Sequence, residues 1–375
     1  MLINGQTLIQ HLDRLAPKKM AVEHDRIGLQ VGTLNKSITT ALVTLDVTDA
    51  VVEEAIAKGA ELIIAHHAII FRPLPKIDTA TASGKLIEKL IKHDIAVYIA
   101  HTNLDVATGG VNDWLADRLG IQEANRSFLE EVYTDRWLKL VVYVPKPHLE
   151  AVQQAIWQAG GGQLGNYSEC SFTVDGTGTF KAGEGATPFS GSIDQLHHAE
   201  EVKLETVIAA SLQSKIVQAM IKAHPYEEVA YDLFPNEIKG TSYGLGRMGR
   251  LAESTTLGEY AEEVKKALQL SAVRIVGNVQ TKVAKVAVLG GSGAKYVNKA
   301  KFAGADTIVT GDIDFHTAQD ALADGMTIID AGHHIEQIMI TELANWLSHQ
   351  ITTYNNKVTT TIVASTINTD PFQFI

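Results

Sequence analysis

Short apolar runs alternate with amphipathic stretches between residues 39 and 120. TTALVTLDV (39–47), ELIIAHH (61–67) and IAVYIAHTNLD (95–105) are the apolar runs, and helical patterns such as GKLIEKLIKH (84–93) lie between them. Strands that are apolar throughout, without strict alternation, are typical of parallel sheets whose two faces are both covered. This part of the chain therefore predicts a parallel sheet between layers of helices.

The same pattern returns near the C-terminus, in KVAVLGG (285–291), ADTIVTGDI (305–313) and MTIIDAGHH (326–334). KGAELIIAHH (58–67) aligns with AGADTIVTGD (303–312), and DIAVYIAHTN (94–103) has the shape of GMTIIDAGHH (325–334). We interpret this as an internal duplication. The alternative is that any two β-α-β units look alike.

Residues from about 130 to 240 have a different character. Two β-α-β-like sets occur there, one on either side of a glycine-rich stretch, and they predict an α/β sandwich of the ferredoxin type. The predicted fold class is α/β, with two similar three-layer lobes that have mostly parallel sheets and an inserted ferredoxin-like α+β domain. The predicted boundaries are 1–129 and 241–375 for the two-lobed core and 130–240 for the insert.

The amino-acid composition argues against some classes of binding partner. The 375 residues include 32 Lys and Arg against 43 Asp and Glu, a net charge of −11, which argues against nonspecific binding to nucleic acid. Cys170 is the only cysteine, so an intrachain disulfide is excluded, as is common in a reducing compartment. The N-terminus does not resemble a secretory signal, and no apolar run reaches the ~18 residues of a membrane helix. We expect a cytoplasmic protein without membrane or nucleic-acid partners.

Imidazoles and carboxylates follow the predicted parallel strands at the end where open α/β sheets bind ligands. These residues are His66, His67, Asp105, His333 and Glu336. Such a mixed donor set suits zinc or a first-row transition metal, and two adjacent metals that share a carboxylate would use about this many ligands. Because neighbouring strand residues point to opposite faces, His66 and His67 can serve one site only if the chain turns there. The competing interpretation is a set of capped or surface histidines.

Several motifs together resemble the NIF-three-like family, whose members are also known as GTP cyclohydrolase 1 type 2 homologues. They are AHH (65–67), HTNLD (101–105), DAGHHIE (330–336), DRIGLQVG (25–32) and GDIDFH (311–316). The resemblance implies a site for two divalent metal ions in each chain, held by the five residues above with Glu336 as the bridge. Imidazole and carboxylate donors accept zinc, iron, manganese and cobalt, so the residues do not name the metal. The resemblance also implies a toroidal homohexamer. DRIGLQVG departs from the expected pattern around Arg26 and leaves the role of Asp25 open.

The middle region carries a resemblance of its own. KAHPYEEVAYDL (222–233) is similar to the PII/CutA-like domain that interrupts longer bacterial members of the family. The resemblance implies that 130–240 is such an insert.

Further polar residues are candidates for supporting roles. His101 and His316 are candidates for proton transfer, with a structural imidazole as the alternative for each. Asp46 is positioned to orient a ligand histidine, and His334 is expected to support the site indirectly or to face solvent. The turn LGGSGAK (289–295) is either an anion seat at a helix start or a tight turn.

The leading functional hypothesis is a metal-dependent hydrolase that resembles GTP cyclohydrolase 1 type 2 and acts on a nucleotide or a related phosphorylated compound. A metal-dependent phosphoesterase is the second hypothesis, since two-metal sites often stabilise phosphoryl transfer. The third is a non-catalytic hexameric scaffold or metal chaperone whose insert senses small molecules.

Overall fold

The computed structural model of the chain describes residues 2–373 and 375. The chain forms two compact units. The first unit combines Met1–Tyr133 with Tyr243–Ile375, and the second unit is Thr134–Ser242.

Eleven α-helices are present in the described part of the chain: α1 Gly5–Leu15, α2 Asp49–Ala57, α3 Ala82–Lys92, α4 Thr102–Val106, α5 Val111–Arg118, α6 Leu149–Gln158, α7 Gln213–Ala223, α8 Leu257–Ala267, α9 Val297–Phe302, α10 Phe315–Ala323 and α11 Ile338–Tyr354. Short 3₁₀ helices occupy Lys18–Met20, Glu123–Asn125, Lys146–His148, Ala210–Leu212, Ala294–Tyr296 and His333–Gln337. Across the residues that are described, no helix is both long enough and apolar enough to cross a membrane.

The strands are β1 Ile3–Asn4, β2 Gly28–Val31, β3 Ser37–Ile38, β4 Thr40–Thr44, β5 Leu62–Ala65, β6 Ala96–Ile99, β7 Glu130–Pro145, β8 Ser171–Lys181, β9 Leu196–Ala209, β10 Tyr231–Leu245, β11 Arg247–Thr256, β12 Arg274–Val276, β13 Lys282–Ser292, β14 Thr307–Gly311, β15 Thr327–Asp330 and β16 Thr361–Ala364.

The first unit contains two five-stranded sheets, which we call the first and second lobe sheets. The first has the order β16-β4-β5-β6-β2, with β2 antiparallel to its neighbour and the others parallel. The second has the order β11-β13-β14-β15-β12, with three parallel central strands and antiparallel edges. Parallel strands end at one edge of a sheet, so residues that follow β5 and β6, or β14 and β15, come close together.

The central strands do not alternate apolar and polar residues, because both of their faces are buried. Every residue of β5, β6, β14 and β15 is buried. In the first lobe sheet, Ile64 and Tyr98 belong to a core that also includes β13, β15 and α11, whereas Ile63 and Val97 face a separate core under α2 and α3. Both faces of this sheet are therefore covered, as continuous apolar strands require.

Helix starts follow local sequence signals. The side chains of Thr48, Thr81 and Thr256 each accept a hydrogen bond from the backbone amide three residues later, and they begin α2, α3 and α8. Such caps satisfy amides that the helix itself leaves free.

The second unit has the element order β7-α6-β8-β9-α7-β10, which is the β-α-β-β-α-β connectivity of ferredoxin-like domains. Its sheet has the order β10-β7-β9-β8. Apolar residues of β7 and β9, such as Val142 and Leu204, form a core with Ile156 of α6 and Ile216 of α7. The predicted mixed α/β class with several sheets is confirmed. The assignment of 130–240 to the PII/CutA-like type stays a prediction.

Candidate metal centre

His66 and His67 lie in a bend directly after β5. This strand ends at Ala65, and the amides of His66 and His67 both donate to the carbonyl of Leu45, at 3.1 and 3.0 Å. The two imidazole rings are 5.2 Å apart and inclined at 55°. The chain therefore turns at His66 and His67, as it must if two neighbouring residues are to donate to one site.

β6 delivers His101 and Asp105 to the same edge of the sheet. The amide of Asp105 donates to the carbonyl of His101 at 3.2 Å, so one helical turn separates them. Asn112 fixes this turn, because its side-chain amide donates to the carbonyl of Asp105 at 3.0 Å. Asp105 is buried.

His333 and Glu336 lie in the 3₁₀ helix that follows β15. Gly332 precedes this helix with a φ of 82°, in the left-handed region that glycine adopts without steric penalty. Residues three apart in a 3₁₀ helix share one side, and His333 Nε2 is 3.3 Å from Glu336 Oε2. Glu336 is only 3% exposed.

The Glu336 carboxylate lies between two sets of donors. Its Oε2 is 3.2 Å from His67 Nε2 and 3.3 Å from His333 Nε2. Its Oε1 is 3.8 Å from His66 Nε2, which is itself 3.6 Å from Asp105 Oδ1. Each carboxylate oxygen therefore faces a different set, which is the arrangement of a carboxylate that bridges two ions.

Two buried atoms of this cluster have no hydrogen-bond partner in the described part of the chain. Within the described residues, neither His66 Nε2 nor Asp105 Oδ1 makes a hydrogen bond. Leaving a buried polar group unpaired costs about 1–3 kcal/mol, so the fold tolerates such atoms only where another role offsets the cost. A cation between a lone pair and a carboxylate oxygen would satisfy both.

The donor atoms are also close enough to one another to bind metal. Three overlapping sets have all their donor atoms within 4.8 Å: His66, His67 and His101; His67, His333 and Glu336; and His66, Asp105 and Glu336. Nitrogen and carboxylate donors of this kind fit a divalent transition metal or zinc. The structure thus brings together all five residues proposed as ligands and adds His101.

Each imidazole in the cluster uses its Nδ1 to bind an oxygen outside the cluster. The pairs are His67 with Asp46 at 2.7 Å, His101 with Asp25 at 2.8 Å, His333 with Asp312 at 2.6 Å, and His66 with the carbonyl of Ala100 at 2.9 Å. An acceptor at Nδ1 favours the tautomer with a proton on Nδ1 and a lone pair on Nε2. All four Nε2 atoms are therefore prepared to donate to a metal.

Charge interactions in the cluster are strong. Burial alone lowers the pKa of His67, but its hydrogen bonds to Asp46 and Glu336 outweigh burial and raise that pKa to about 10. The hydrogen bond to Glu336 is the largest contribution that raises the pKa of His333 to about 9. Burial raises the pKa of Asp105 to about 6. The metal-free cluster thus holds protons that a bound ion would displace.

His101 lies inside the cluster. Its ring is 5.0 Å from that of His66 and 5.7 Å from that of His67. Asp25, whose role the sequence left open, accepts from His101 Nδ1 and from the amide of Thr102 at 3.1 Å. This position permits either metal binding or proton transfer by His101.

His316, the other candidate for proton transfer, lies at the surface. It is exposed in the first turn of α10 and packs edge-on against Phe315 at 5.6 Å. Among the described residues, no hydrogen bond or ring contact joins His316 to the cluster. Asp312, at the end of β14, is the residue of this segment that reaches the cluster.

Sequence reasoning missed two supporting residues, Asp312 and Thr369. Asp312 has a φ of 57°, an uncommon conformation for a residue with a side chain, and this places its carboxylate against His333. The Thr369 hydroxyl donates to Asp46 Oδ2 at 2.5 Å and lies 3.4 Å from Nε2 of the half-buried His334. Asp312 follows a predicted strand and was detectable from the sequence, whereas the C-terminal segment carried no recognised motif.

The glycine-rich turn 289–295 packs against Glu336. A Cβ on Gly291 would overlap the Glu336 carboxylate and lie 3.3 Å from His333 Nε2. The amide of Gly290 donates to Asn112 Oδ1 at 3.0 Å, and that of Gly293 donates to the carbonyl of Gly311 at 3.2 Å. These two amides are thus already bonded within the fold, and the turn packs closely against the Glu336 carboxylate.

A cavity of about 1440 Å³ opens beside the cluster. His67 and His333 line it, together with the C-terminal residues 368–373. Arg274, the single guanidinium of its described wall, donates to the carbonyl of Ile313 at 2.9 Å and also binds Asp330. Its side chain is 70% exposed, so it can meet a bound anion.

Comparisons with known proteins agree over nearly the whole chain. The profile of the family described as Duf34/NIF3 (NGG1p interacting factor 3) matches residues 3–371. A protein of Halalkalibacterium halodurans, named GTP cyclohydrolase 1 type 2 homolog, is 51% identical over 372 residues, which are 99% of each chain. A Bacillus subtilis protein with the same name is 49% identical, covering 100% of this chain and 99% of its own.

Solved structures give the same result. The crystal structure of a Bacillus cereus protein related to NIF3 superposes with a TM-score of 0.93 at 49% identity and covers 100% of both chains. The chain belongs to the Duf34/NIF3 family.

Proposed function

We propose that this chain is a hydrolase that depends on two divalent metal ions and acts on a nucleotide or a related phosphorylated compound. The observation that carries the proposal is the placement of Glu336, whose two carboxylate oxygens face different donor sets beside the unpaired atoms His66 Nε2 and Asp105 Oδ1. The name of the relatives, GTP cyclohydrolase 1 type 2 homolog, suggests the substrate class.

The proposed ligands fall into two donor sets, one for each ion, and Glu336 belongs to both. One ion would be held by His66, Asp105 and Glu336, and the other by His67, His333 and Glu336. Zinc, iron, manganese and cobalt all accept such ligands, so supply would decide which metal is bound. When bound, two such ions would supply Lewis acidity and a water that is more acidic than bulk water.

The protein's own residues hold the ligands in place and exclude solvent. Asp46 and Asp312 fix the rings of His67 and His333, and removing such outer contacts typically weakens metal binding 10–100-fold. Burial of His66, Asp105 and Glu336 keeps bulk water from one side of the cluster.

The adjoining cavity provides room for a substrate. Its size exceeds that of common ligand sites. One Nη of Arg274 is held by Asp330 and the carbonyl of Ile313, and the exposed guanidinium has further N–H donors for a phosphate. His101 is part exposed and held by Asp25, so it is placed to move a proton if it does not bind metal.

A metal-dependent phosphoesterase is the second candidate. The bridging carboxylate and the exposed Arg274 favour it, because both are common parts of sites that stabilise a phosphoryl group. In either case, the homohexamer stays a prediction, which light scattering of the purified protein would test.

The deciding experiment uses purified protein of defined metal content incubated with GTP. Formation of a pterin-type product that depends on metal and is abolished by His67→Ala supports the cyclohydrolase. Release of phosphate without such a product supports the phosphoesterase. If neither reaction occurs and two ions are retained, the hydrolase proposal is wrong and the scaffold hypothesis replaces it.

A further inference from the structure

The second unit contains a cavity of about 720 Å³ that the proposed hydrolase does not use. Val142 pairs with Leu204, and both belong to the core under α6 and α7. Their neighbours Tyr143 and Lys203 also pair, and both line the cavity. Because successive strand residues point to opposite faces, the cavity lies on the face of the sheet opposite the helices.

Two glycines form the floor of this cavity. Val174, Gly176, Gly178 and Phe180 alternate along β8 and share the cavity face. Gly176 pairs with Glu201 across the sheet, and a Cβ on Gly178 would overlap the Glu201 carboxylate. Glycines within a strand commonly mark a place where another group approaches the backbone. Here the missing side chains leave a depression between Val174 and Phe180, which the Glu201 carboxylate enters over Gly178 and which stays open over Gly176.

Aromatic rings form the wall of the depression. The ring of Tyr226 is 6.1 Å from that of Phe180 and 6.0 Å from that of Phe189. Phe189 is 53% exposed although it belongs to this cluster. Faces of aromatic rings attract cations, most strongly where several rings meet at a partly desolvated site.

A carboxylate lies beside these rings. Glu201 accepts a hydrogen bond from the hydroxyl of Tyr226 at 2.8 Å through Oε1, and its other oxygen lies over Gly178. Within the described residues, no ion pair involves Glu201, Glu227 or Glu228, all of which line the cavity. The negative charge is therefore available to a ligand.

The two lysines of the lining do not cancel that charge. Lys203 pairs with Glu205 at 2.6 Å, and Lys181 pairs with Asp194 at 3.4 Å. Both partners lie outside the lining. The cavity consequently combines aromatic surface with unpaired negative charge.

We propose that this cavity binds a small organic cation, an amine or quaternary ammonium with an apolar body. The cationic head lies over Phe180, Phe189 and Tyr226 and against the Glu201 carboxylate, which occupies the space over Gly178. The open space over Gly176 admits the apolar body. A volume of about 720 Å³ falls in the usual range for small-ligand sites.

Isothermal titration calorimetry of the full-length protein with choline tests this inference. The neutral isostere 3,3-dimethylbutan-1-ol has the same shape without the charge. We expect choline to bind and the isostere to bind at least about tenfold more weakly, because only the cation is attracted by rings and carboxylate. Equal affinities, or no choline binding at millimolar concentration, would overturn the proposal.

Variants locate the site. Glu201→Gln and Phe189→Ala should each weaken choline binding about tenfold. Gly178→Ala should do the same, because its methyl group displaces the Glu201 carboxylate. Two matched controls, Glu200→Gln on the opposite face and Phe172→Ala at an exposed position of β8, should leave binding unchanged.

Melting temperature and metal content separate this inference from the proposed function. All five variants should melt and retain metal like the parent protein. Loss of choline binding in the controls, or its retention in both Glu201→Gln and Phe189→Ala, would show that choline binds elsewhere and would contradict the assignment.

Discussion

The two lobe sheets of the first unit share a strand pattern but carry different chemistry at their carboxyl edges. Each has three neighbouring parallel strands, β4-β5-β6 in one and β13-β14-β15 in the other, with an antiparallel strand beside the third. Each also delivers one buried carboxylate from the helical turn after the third strand, Asp105 in the first lobe and Glu336 in the second.

The middle strands differ. In the first lobe, His66 and His67 follow β5 directly. In the second lobe, Gly311 ends β14 and Asp312 follows it. A Cβ on Gly311 would lie 2.5 Å from the backbone of Gly332 and His333, so no larger residue fits there. At this strand end the first lobe supplies imidazoles and the second leaves space. Two sheets with the same strand pattern can build an asymmetric site in this way.

The two equivalent carboxylates offer the strongest test of this asymmetry. Glu336 faces both donor sets and Asp105 faces one, so Glu336→Gln should lose both ions while Asp105→Asn keeps about one per chain. Metal analysis after saturation and dialysis measures the difference. Equal losses in the two variants would remove the distinction between the lobes.

Arg247 connects the lobes, and its removal should cost the most stability. This buried residue of β11 binds both oxygens of Asp113 in α5, at 2.7 and 2.8 Å, and the carbonyl of Ala107 at 2.8 Å. Arg247→Met leaves the Asp113 carboxylate without its main partner and should lower the free energy of unfolding by about 3–5 kcal/mol in urea titrations. Arg250, an exposed residue of the same strand, is the control. Arg250→Met should change the free energy of unfolding by less than about 0.5 kcal/mol.

The same pair predicts a pH dependence. Burial raises the pKa of Asp113, but hydrogen bonds and charge from Arg247 outweigh burial and hold the pKa below its ordinary value. A carboxyl whose pKa is lower in the folded state contributes stability above its unfolded pKa of about 3.9, and this contribution disappears as the pH falls through the folded value. The stability difference between the parent protein and Asp113→Asn should therefore be constant from pH 7 to about 5 and shrink below about 4. A difference that grows in acid would contradict this sign.

A substitution at Gly291 would remove the space that the second lobe leaves for the Glu336 carboxylate. Gly291→Ala puts a methyl group into the Glu336 carboxylate and should weaken metal binding by about 100-fold, near the upper end for changes that disturb the support of a ligand. Gly325→Ala is the matched control, because Gly325 has a similar φ of 72° but nothing within 4 Å of its would-be Cβ. Metal competition titrations should separate the two variants, and equal affinities would show that Gly291 contributes only backbone freedom.

The smallest effects concern the aspartates behind the imidazoles. Asp46→Asn acts on His67 of the first lobe and Asp312→Asn on His333 of the second, and each should weaken metal binding about tenfold. Thr369→Val should weaken it less, since Thr369 acts only through Asp46. An effect of Thr369→Val larger than that of Asp46→Asn would assign the C-terminal segment a direct role.

Much of the site followed from the sequence because strand ends are easy to recognise. His66, His67 and Asp105 follow continuous apolar runs, and parallel strands bring such ends together whatever lies between them. A motif near a strand end does not reveal which residue turns inward. Here the left-handed conformation of Asp312 brings that carboxylate to the cluster, while a role for His316 stays a prediction. Thr369 was beyond prediction, since its contact with Asp46 joins residues 323 positions apart.

The central claim is that two ions share Glu336. Crystals of the zinc-saturated protein, measured at the zinc absorption edge, test it most directly through the anomalous difference map. We predict two peaks about 3.5–4 Å apart, one toward His66 and Asp105 and the other toward His67 and His333. A single peak, or peaks that do not contact Glu336, would contradict the account.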